Sequence, residues 1–600
     1  VRINGYAPIR DYAAIGDGRT VALVALDGSI DWLCFPNLES PTVFGALLDP
    51  ENGGRFELAP AAPFETERRY VPETNVLETT YTTATGSVRV NDLMTLQDGG
   101  LVPWIELVRQ IQGLGGTVPI RWSVEPRFEF GRAETSVAVR EGIPIASSGG
   151  DSLAVSSWDA GEPEVGARAV AGEFEAREGS TALVALSGAH GSPVHLQPRK
   201  GVEQRIAGTV ESWRRWLHGQ HEYQGPWPKE VARSILALKL LVHTPTGAIA
   251  AAPTTSLPER IGGPKNYDYR YAWVRDSSFT LDALMRLGYH EQAHASFGWL
   301  LEALRDTHPR VQPVYRLSGD ALSAETQLDL PGYRGSRPVR RGNRASTQLQ
   351  LSGYGDLLTT TWLYVRDGNV LDADSGARLA ETADLVRSLW RNEDSGIWEL
   401  PDTRHYTQSK MGAWVAFDRA LRLVEAGHIP GRQALAWQAE AEAVRSWVEE
   451  NCWSEELGSY TFYPGTSKLD ASCLLAARME YGEPRGQRIL GTIETVRREL
   501  GRGPLLYRYT GMDEEEGAFV PCSFWLVESL ARAERFDEAH EIMEGVLSLA
   551  NDVGLFSEQM DPETHEFLGN FPQGLSHLAL VNAAALFQQS LERATSEPAR

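Results

Sequence analysis

The pattern of apolar and polar positions changes character once along the 600 residues. Up to about residue 205 it is short-range. Alternating or β-branched runs recur at 21–26, 77–83, 88–93 and 104–111. Asp27-Gly28, Gly86 and the glycine-rich stretch 113–116 interrupt them with the turn chemistry that joins antiparallel strands. This predicts an antiparallel β-sandwich over residues 1–205. From Gly208 the segment TVESWRRWLHG reads as a short helix, and HEYQGPWPKE after it as a connector, so 206–228 is expected to be a helical linker.

Beyond the linker the period is helical. Val231, Ile235, Leu238 and Val242 share one face at i, i+4, i+7 and i+11. MRLGYHEQAHASF, from Met285, resembles LARAERFDEAHEIM, from Leu530, with Tyr289 matching Phe536. Each reads as helix, tight turn and helix. Recurring helical hairpins over 229–600 predict a closed toroid, and an (α/α)6 barrel of twelve helices fits that length.

Composition narrows the function. The 80 acidic against 57 basic residues give a net charge of −23, which argues against nucleic acid or an anionic membrane as partner and leaves a neutral ligand easy to accept. The 17 Trp, 19 Tyr and 18 Phe exceed what a core of this size needs, and such rings stack on the C–H faces of sugars. Cys34, Cys452, Cys473 and Cys522 have no metal-ligand spacing and read as buried hydrophobes of a reducing compartment. The chain shows no apolar leader and no long apolar run, so a cytoplasmic location is the default expectation.

Four segments carry candidate chemistry. His290-Glu291-Gln292-Ala293-His294 matches the HExxH pattern of a zinc helix, but the related hairpin has Asp537-Glu538-Ala539-His540 and no third ligand follows at a recognisable spacing, so no metal site is expected. Glu399 follows Ile397-Trp398, where an apolar wall would raise a carboxyl pKa and suit a general acid; the plainer reading is a loop glutamate before a helix. Glu558 lies in a second glycine-containing loop after an apolar stretch. Two glutamates from separate loops are what glycoside hydrolysis needs. The segment 267–276 packs four aromatics with two Arg-Asp pairs, and Arg275-Asp276 suits either adjacent sugar hydroxyls or a structural ion pair.

NYDYRYAWVRDSSF, GIWE followed by HYTQSK and AWVAFDRA, YRYTGMDEEEGAFVPCSFWLVESL and GLFSEQMDPETHEFLGNFPQGLSHLALVNAA together resemble glycoside hydrolase family 15. That family holds glucoamylases, glucodextranases and a bacterial and archaeal group of trehalases. IGDGRTVALVALDGSIDWLCFPNLESPTVFGALLD and PVRRGNRASTQLQ resemble blocks of the trehalase-type group. The resemblance implies an N-terminal β-sandwich of the supersandwich type, a helical linker and an (α/α)6 barrel. It also implies exo-acting, inverting hydrolysis of an α-glucoside by single displacement, with Glu399 as general acid and Glu558 as general base. Arg275 and Asp276 would hold the nonreducing glucose, with Tyr269, Trp273 and Trp398 beside it and Arg508-Tyr509 reaching hydroxyls at the scissile bond.

Three positions depart from the trehalase-type pattern. Ser352 replaces an acid, Gln408 a histidine, and residues 463–468 an aromatic-glycine block. Each is a candidate for reshaping the leaving-group subsite. The expected substrate is a neutral α-glucoside disaccharide, α,α-trehalose first and maltose, isomaltose or longer glucans as the alternative. The mechanism requires no cofactor; phosphate or divalent-cation dependence and homo-oligomerisation stay open. A silent sugar-binding scaffold is the rival from another class, and retention of both glutamates argues against it. A terpene-cyclase-like barrel would need an Asp-rich DDxxD motif, which is lacking.

Overall fold

The computed structural model describes residues 2–96, 104–219, 223–322 and 324–596. The first part is two antiparallel layers that share one strand of 22 residues, Trp104–Glu125. Its first half pairs with Gly86–Met94 and Thr181–His190, its second half with Arg55–Pro60 and Val170–Arg177. The glycines at 113–116 are therefore a bend and not the expected hairpin turn. The physical reason is close backbone approach: a Cβ on Gly113 would lie 1.9 Å from the Arg177 carbonyl oxygen, and Gly116 has φ +67°. Asp27-Gly28 does turn one strand, Val21–Ala25, into the next, Ser29–Cys34.

Helix α1 spans Arg199–His218. It begins nine residues before Gly208 (208 − 199), because Pro198 sets its start and the polar first turns carry little apolar period. The helices after it are α2 (Pro228–Leu241), α3 (Val274–Arg286), α4 (His290–Ala303), α5 (Ser352–Arg366), α6 (Ala373–Leu389), α7 (Thr407–Glu425) and α8 (Ala434–Asn451). Then come α9 (Gln487–Leu500), α10 (Val520–Arg532), α11 (Phe536–Leu547) and α12 (Gly574–Ser596).

In space these alternate between two rings. The inner ring closes as α3, α5, α7, the 3-10 segment Ala471–Ala476, α10 and α12, with α12 back against α3. Helices α2, α4, α6, α8, α9 and α11 lie outside it. The result is an (α/α)6 barrel with one difference from twelve α-helices: a 3-10 turn fills the fourth inner place. Its start is committed elsewhere, since Asp470 accepts from the Ser472 N–H and from the Trp398 indole.

The two expected helical hairpins are α3–α4 and α10–α11. The HExxH residues lie on the outer helix α4, where His290 Nδ1 pairs with Asp367 (2.7 Å) and His294 Nδ1 with the Tyr364 hydroxyl (2.6 Å). Among the described residues no group of three or more metal-ligating side chains converges, and no helix is long and apolar enough to cross a membrane.

Because outer and inner helices alternate, all six outer-to-inner connections emerge at one end of the barrel. The sandwich grips that end. Trp32 donates its indole N–H to the Pro253 carbonyl (2.8 Å), Glu39 pairs with Arg316, and Arg68 with Asp552. At the centre of this contact Arg270, fully buried, makes a two-pronged bond to Asp268 (2.8 and 2.7 Å) and donates to the Ser40 carbonyl (2.6 Å) beneath the Phe130 ring. Removing one partner of such a pair strands a buried charge at a cost of about 3–5 kcal/mol. Asp268→Ala is therefore expected to lower the thermal midpoint, with the Asp268→Ala/Arg270→Met double variant recovering part of the loss. A single variant as heat-resistant as the parent contradicts this account of the domain contact.

Candidate active site

The six connections enclose a cavity of about 470 Å³, within the usual range for a small-molecule site. Each connection supplies wall residues. All nine residues singled out from the sequence, Tyr269, Trp273, Arg275, Asp276, Trp398, Glu399, Arg508, Tyr509 and Glu558, line this one cavity. The inner helices begin at this end, so their positive ends face the carboxylates gathered there.

Glu399 sits on the connection between α6 and α7 with a left-handed backbone, φ +60°, rare for a side chain of this size. The turn is held by Gln348, which donates to the Glu399 carbonyl (3.0 Å), and by Arg275, which donates to the Ile397 carbonyl (2.8 Å). Oε1 accepts the Trp273 indole N–H at 2.6 Å. Burial pushes the carboxyl up; Arg275 and the indole hydrogen bond oppose the shift without cancelling it.

Glu558 directly precedes Gln559–Met560, the middle strand of a three-stranded sheet completed by Ala518–Phe519 and Phe567–Leu568. Its N–H and carbonyl are bonded to Asn570 and Val520. Oε2 accepts the Asn570 N–H (3.2 Å), and Oε1 is buried with no partner. Gly569 with φ +70° makes room for it, since a Cβ there would lie 2.4 Å from Oε2. Burial raises Glu558 to about 7, against the favourable Arg508 charge, the Asn570 N–H and Tyr269.

The two Arg-Asp pairs divide between the two readings of such a motif. Asp268–Arg270 is the buried structural pair. Arg275 bonds Asp276 (2.7 Å) at the start of α3, and both line the cavity. Burial works against the Arg275 charge, but Asp276 and then Glu399 outweigh it and hold the guanidinium above its ordinary range. Tyr269 meets Trp273 edge to face, and Tyr509 packs on Phe462.

Arg508 is less free than a sugar-reaching arginine would be. Its guanidinium is shared by Glu516 and by Glu259 (2.7 Å), and Lys265 bonds Glu516 from the other side (2.9 Å). Trp398 lies against this group, its indole donating to Asp470 (2.9 Å) and its ring 5.6 Å from the Arg508 guanidinium carbon.

Sequence reasoning missed Glu259, Lys265, Asp470 and Phe462, which stand in segments without a catalytic pattern; Glu516 lay in the visible acidic run after Arg508. Of the three departures, only residues 463–468 bring side chains, Tyr463 and Lys468, to the cavity. Ser352 and Gln408 do not line it. Ser352 starts α5 where the chain meets Gly412 of α7, so close that a Cβ on Gly412 would be 2.5 Å from the Ser352 Cα. Gln408 is buried in the first turn of α7. These two sites answer to helix packing, not to the leaving group.

The model of "Glycosyl hydrolases family 15" matches residues 227–585, and one described as "Trehalase-like, N-terminal" matches 4–157. A trehalase of Mycolicibacterium smegmatis is 34% identical over 635 residues, covering 99% of this chain and 93% of that protein. A trehalase of Thermoplasma volcanium is 31% identical over 625 residues, covering 100% and 96%. The fold matches a crystal structure of a bacterial glucoamylase complexed with acarbose, with a TM-score of 0.73 at 13% identity over 99% of this chain and 97% of that one. The chain belongs to glycosyl hydrolases family 15 and is a glycoside hydrolase.

Proposed function

We propose that the chain is an inverting α,α-trehalase. The observation that carries the reading is that Glu399 and Glu558, from separate connections, reach one cavity with different surroundings. The trehalase names of relatives aligned over the whole chain select the substrate.

Arg275 and Asp276 hold hydroxyls of the nonreducing glucose between the Tyr269, Trp273 and Trp398 rings. Glu399, with Oε1 fixed by Trp273, presents its other oxygen to the interglycosidic oxygen and donates the proton. Glu558, with Oε2 held by the Asn570 N–H, uses Oε1 to take a proton from water on the opposite face of the ring. Water oxygen bonds to C1 as the C1–O bond breaks, releasing β-glucose and, from the leaving half, α-glucose. Tyr509 and the 463–468 segment border the leaving-group side.

Glu399→Gln and Glu558→Gln are each expected to lower kcat by about 10²–10⁴-fold with the fold retained. Proton NMR of early product should show the β-anomer from the transferred unit; an all-α first product would exclude single displacement.

The productive state has one proton on the pair, located on Glu399. The last proton leaves a pair in which burial raises Glu558 to about 7 and Glu399 above its ordinary value. The kcat/KM profile should therefore be bell-shaped. It falls above about pH 7, where Glu558 with its raised pKa and then the pair as a whole is without a proton, and at lower pH as both carboxyls become protonated. An alkaline limb beyond pH 9 contradicts this balance.

Among trehalose, maltose, isomaltose, kojibiose and nigerose, trehalose should give the highest kcat/KM. A preference for another disaccharide would leave the two-carboxylate mechanism standing and overturn the substrate.

A further inference from the structure

The mechanism above leaves one buried acid of the cavity unused. Glu259 lies on the connection between α2 and α3, 1% exposed. Its N–H donates to the Lys265 carbonyl and its own carbonyl accepts from the Gly517 N–H, both at 3.1 Å. The Pro258 carbonyl before it accepts from Gly569 (2.8 Å), the glycine that lies against the Glu558 carboxylate. The backbone thus fixes Glu259 to the same frame as the candidate base.

Its side chain is bonded on one side only. Oε2 accepts from Arg508 Nη2 at 2.7 Å, whereas Oε1 is buried without a partner. A buried carboxyl oxygen left unpaired is costly unless a ligand completes it. Glu259 borders the cavity that holds Glu558.

Arg508, Lys265, Glu516, Glu558 and the Tyr267, Tyr269 and Tyr509 hydroxyls are the titratable groups that face it. Burial raises Glu516, but Arg508 and Lys265 outweigh it and hold that carboxyl below its ordinary range. With the Arg508 charge answered by Glu516, burial drives Glu259 well above the carboxyl range, and Glu516 and Glu558 add to the rise. The two oxygens of Glu259 are thereby divided: one accepts from Arg508 and the other is left for a hydroxyl of a ligand.

We infer that Glu259 is a substrate-contact residue whose Oε1 hydrogen-bonds a hydroxyl of the glucosyl unit bound in front of Glu558. This rests on the glucosidase reading above. The contact belongs to the glucosyl subsite and is independent of the leaving group.

The test uses α-glucosyl fluoride and its monodeoxy analogues with the full chain and with Glu259→Met, Glu259→Asp and Glu259→Gln. For one deoxy position the parent protein should lose about 10- to 100-fold in kcat/KM, the range for a buried hydrogen bond. Glu259→Met should show a similar loss on the parent substrate and no further loss at that position. Glu259→Asp, which shortens the reach with little change in volume, should shrink the same penalty, and Glu259→Gln, which keeps the length and an oxygen able to accept from the hydroxyl, should restore it.

Losses that multiply at every position in both the Met and Asp variants overturn the contact and leave a structural role for Glu259. A parent protein that cleaves neither α-glucosyl fluoride nor trehalose overturns the hydrolytic reading, and the contact with it.

Discussion

The site is made of connections, and connections need something to hold them. Among the described residues, the six segments that wall the cavity contain only two- and three-residue strands and short 3-10 turns, so little of their shape comes from regular hydrogen bonding. Their positions depend on buried polar contacts, of which the Asp268–Arg270 fork is the most central. Tyr269 of the pocket lies between its two partners in the chain, and Trp273 and Arg275 follow shortly after. Its arginine reaches the sandwich at Ser40 and its aspartate accepts the Gly342 N–H of the next connection (3.2 Å). The N-terminal domain is thereby part of the active-site architecture, an external brace for loops that a barrel alone would leave loosely held.

The same low-dielectric surroundings that make the brace strong set the chemistry. Glu399 and Glu558 are both raised by burial; Arg275 opposes the rise most at Glu399 and Arg508 most at Glu558, with Arg508 also acting on Glu399. Neither arginine is spare: Arg275 is shared with Asp276 and the Ile397 carbonyl, Arg508 with Glu259 and Glu516. Charge inside the cavity is therefore balanced locally, pair by pair. The net charge of −23 is a property of the whole chain and its outer surface, whereas the cavity is governed by a few groups removed from water.

What was legible in the sequence follows the range of the forces involved. Period 2 and period 3.6 report which face of an element is buried, so the sandwich and the helical hairpins could be read from residues such as Val231, Ile235 and Leu238. Motif resemblance brought Glu399, Glu558 and Arg275 forward. The glycines at 113–116 misled because a hairpin turn and a close backbone passage use the same residue for different reasons. The 3-10 segment at Ala471–Ala476 was hidden because its first turn answers to Trp398, a contact across 72 positions. Glu259 was invisible for a related reason: nothing local marks a carboxyl whose meaning comes from Arg508 and Gly569.

The left-handed backbone at Glu399 depends on bracing of the same kind. A non-glycine residue held at φ +60° costs roughly 1–2 kcal/mol, so a loop free to relax would not keep it. This loop is closed at its neck by paired backbone bonds between Asp394 and Arg404 (3.0 Å each). Below the neck, the buried Lys410 donates to the Trp390 and Asn392 carbonyls at 2.6 Å, and Asp394 accepts the Leu351 N–H at 2.9 Å. The His405–Lys410 stretch contributes no side chain to the cavity apart from Tyr406; its lysine fastens the base of the loop that carries Glu399. Strain at the carboxyl and rigidity at the neck are two halves of one arrangement, in which Trp273 and Arg275 orient the proposed proton donor from inside the pocket while Lys410 and Asp394 fasten its loop from outside.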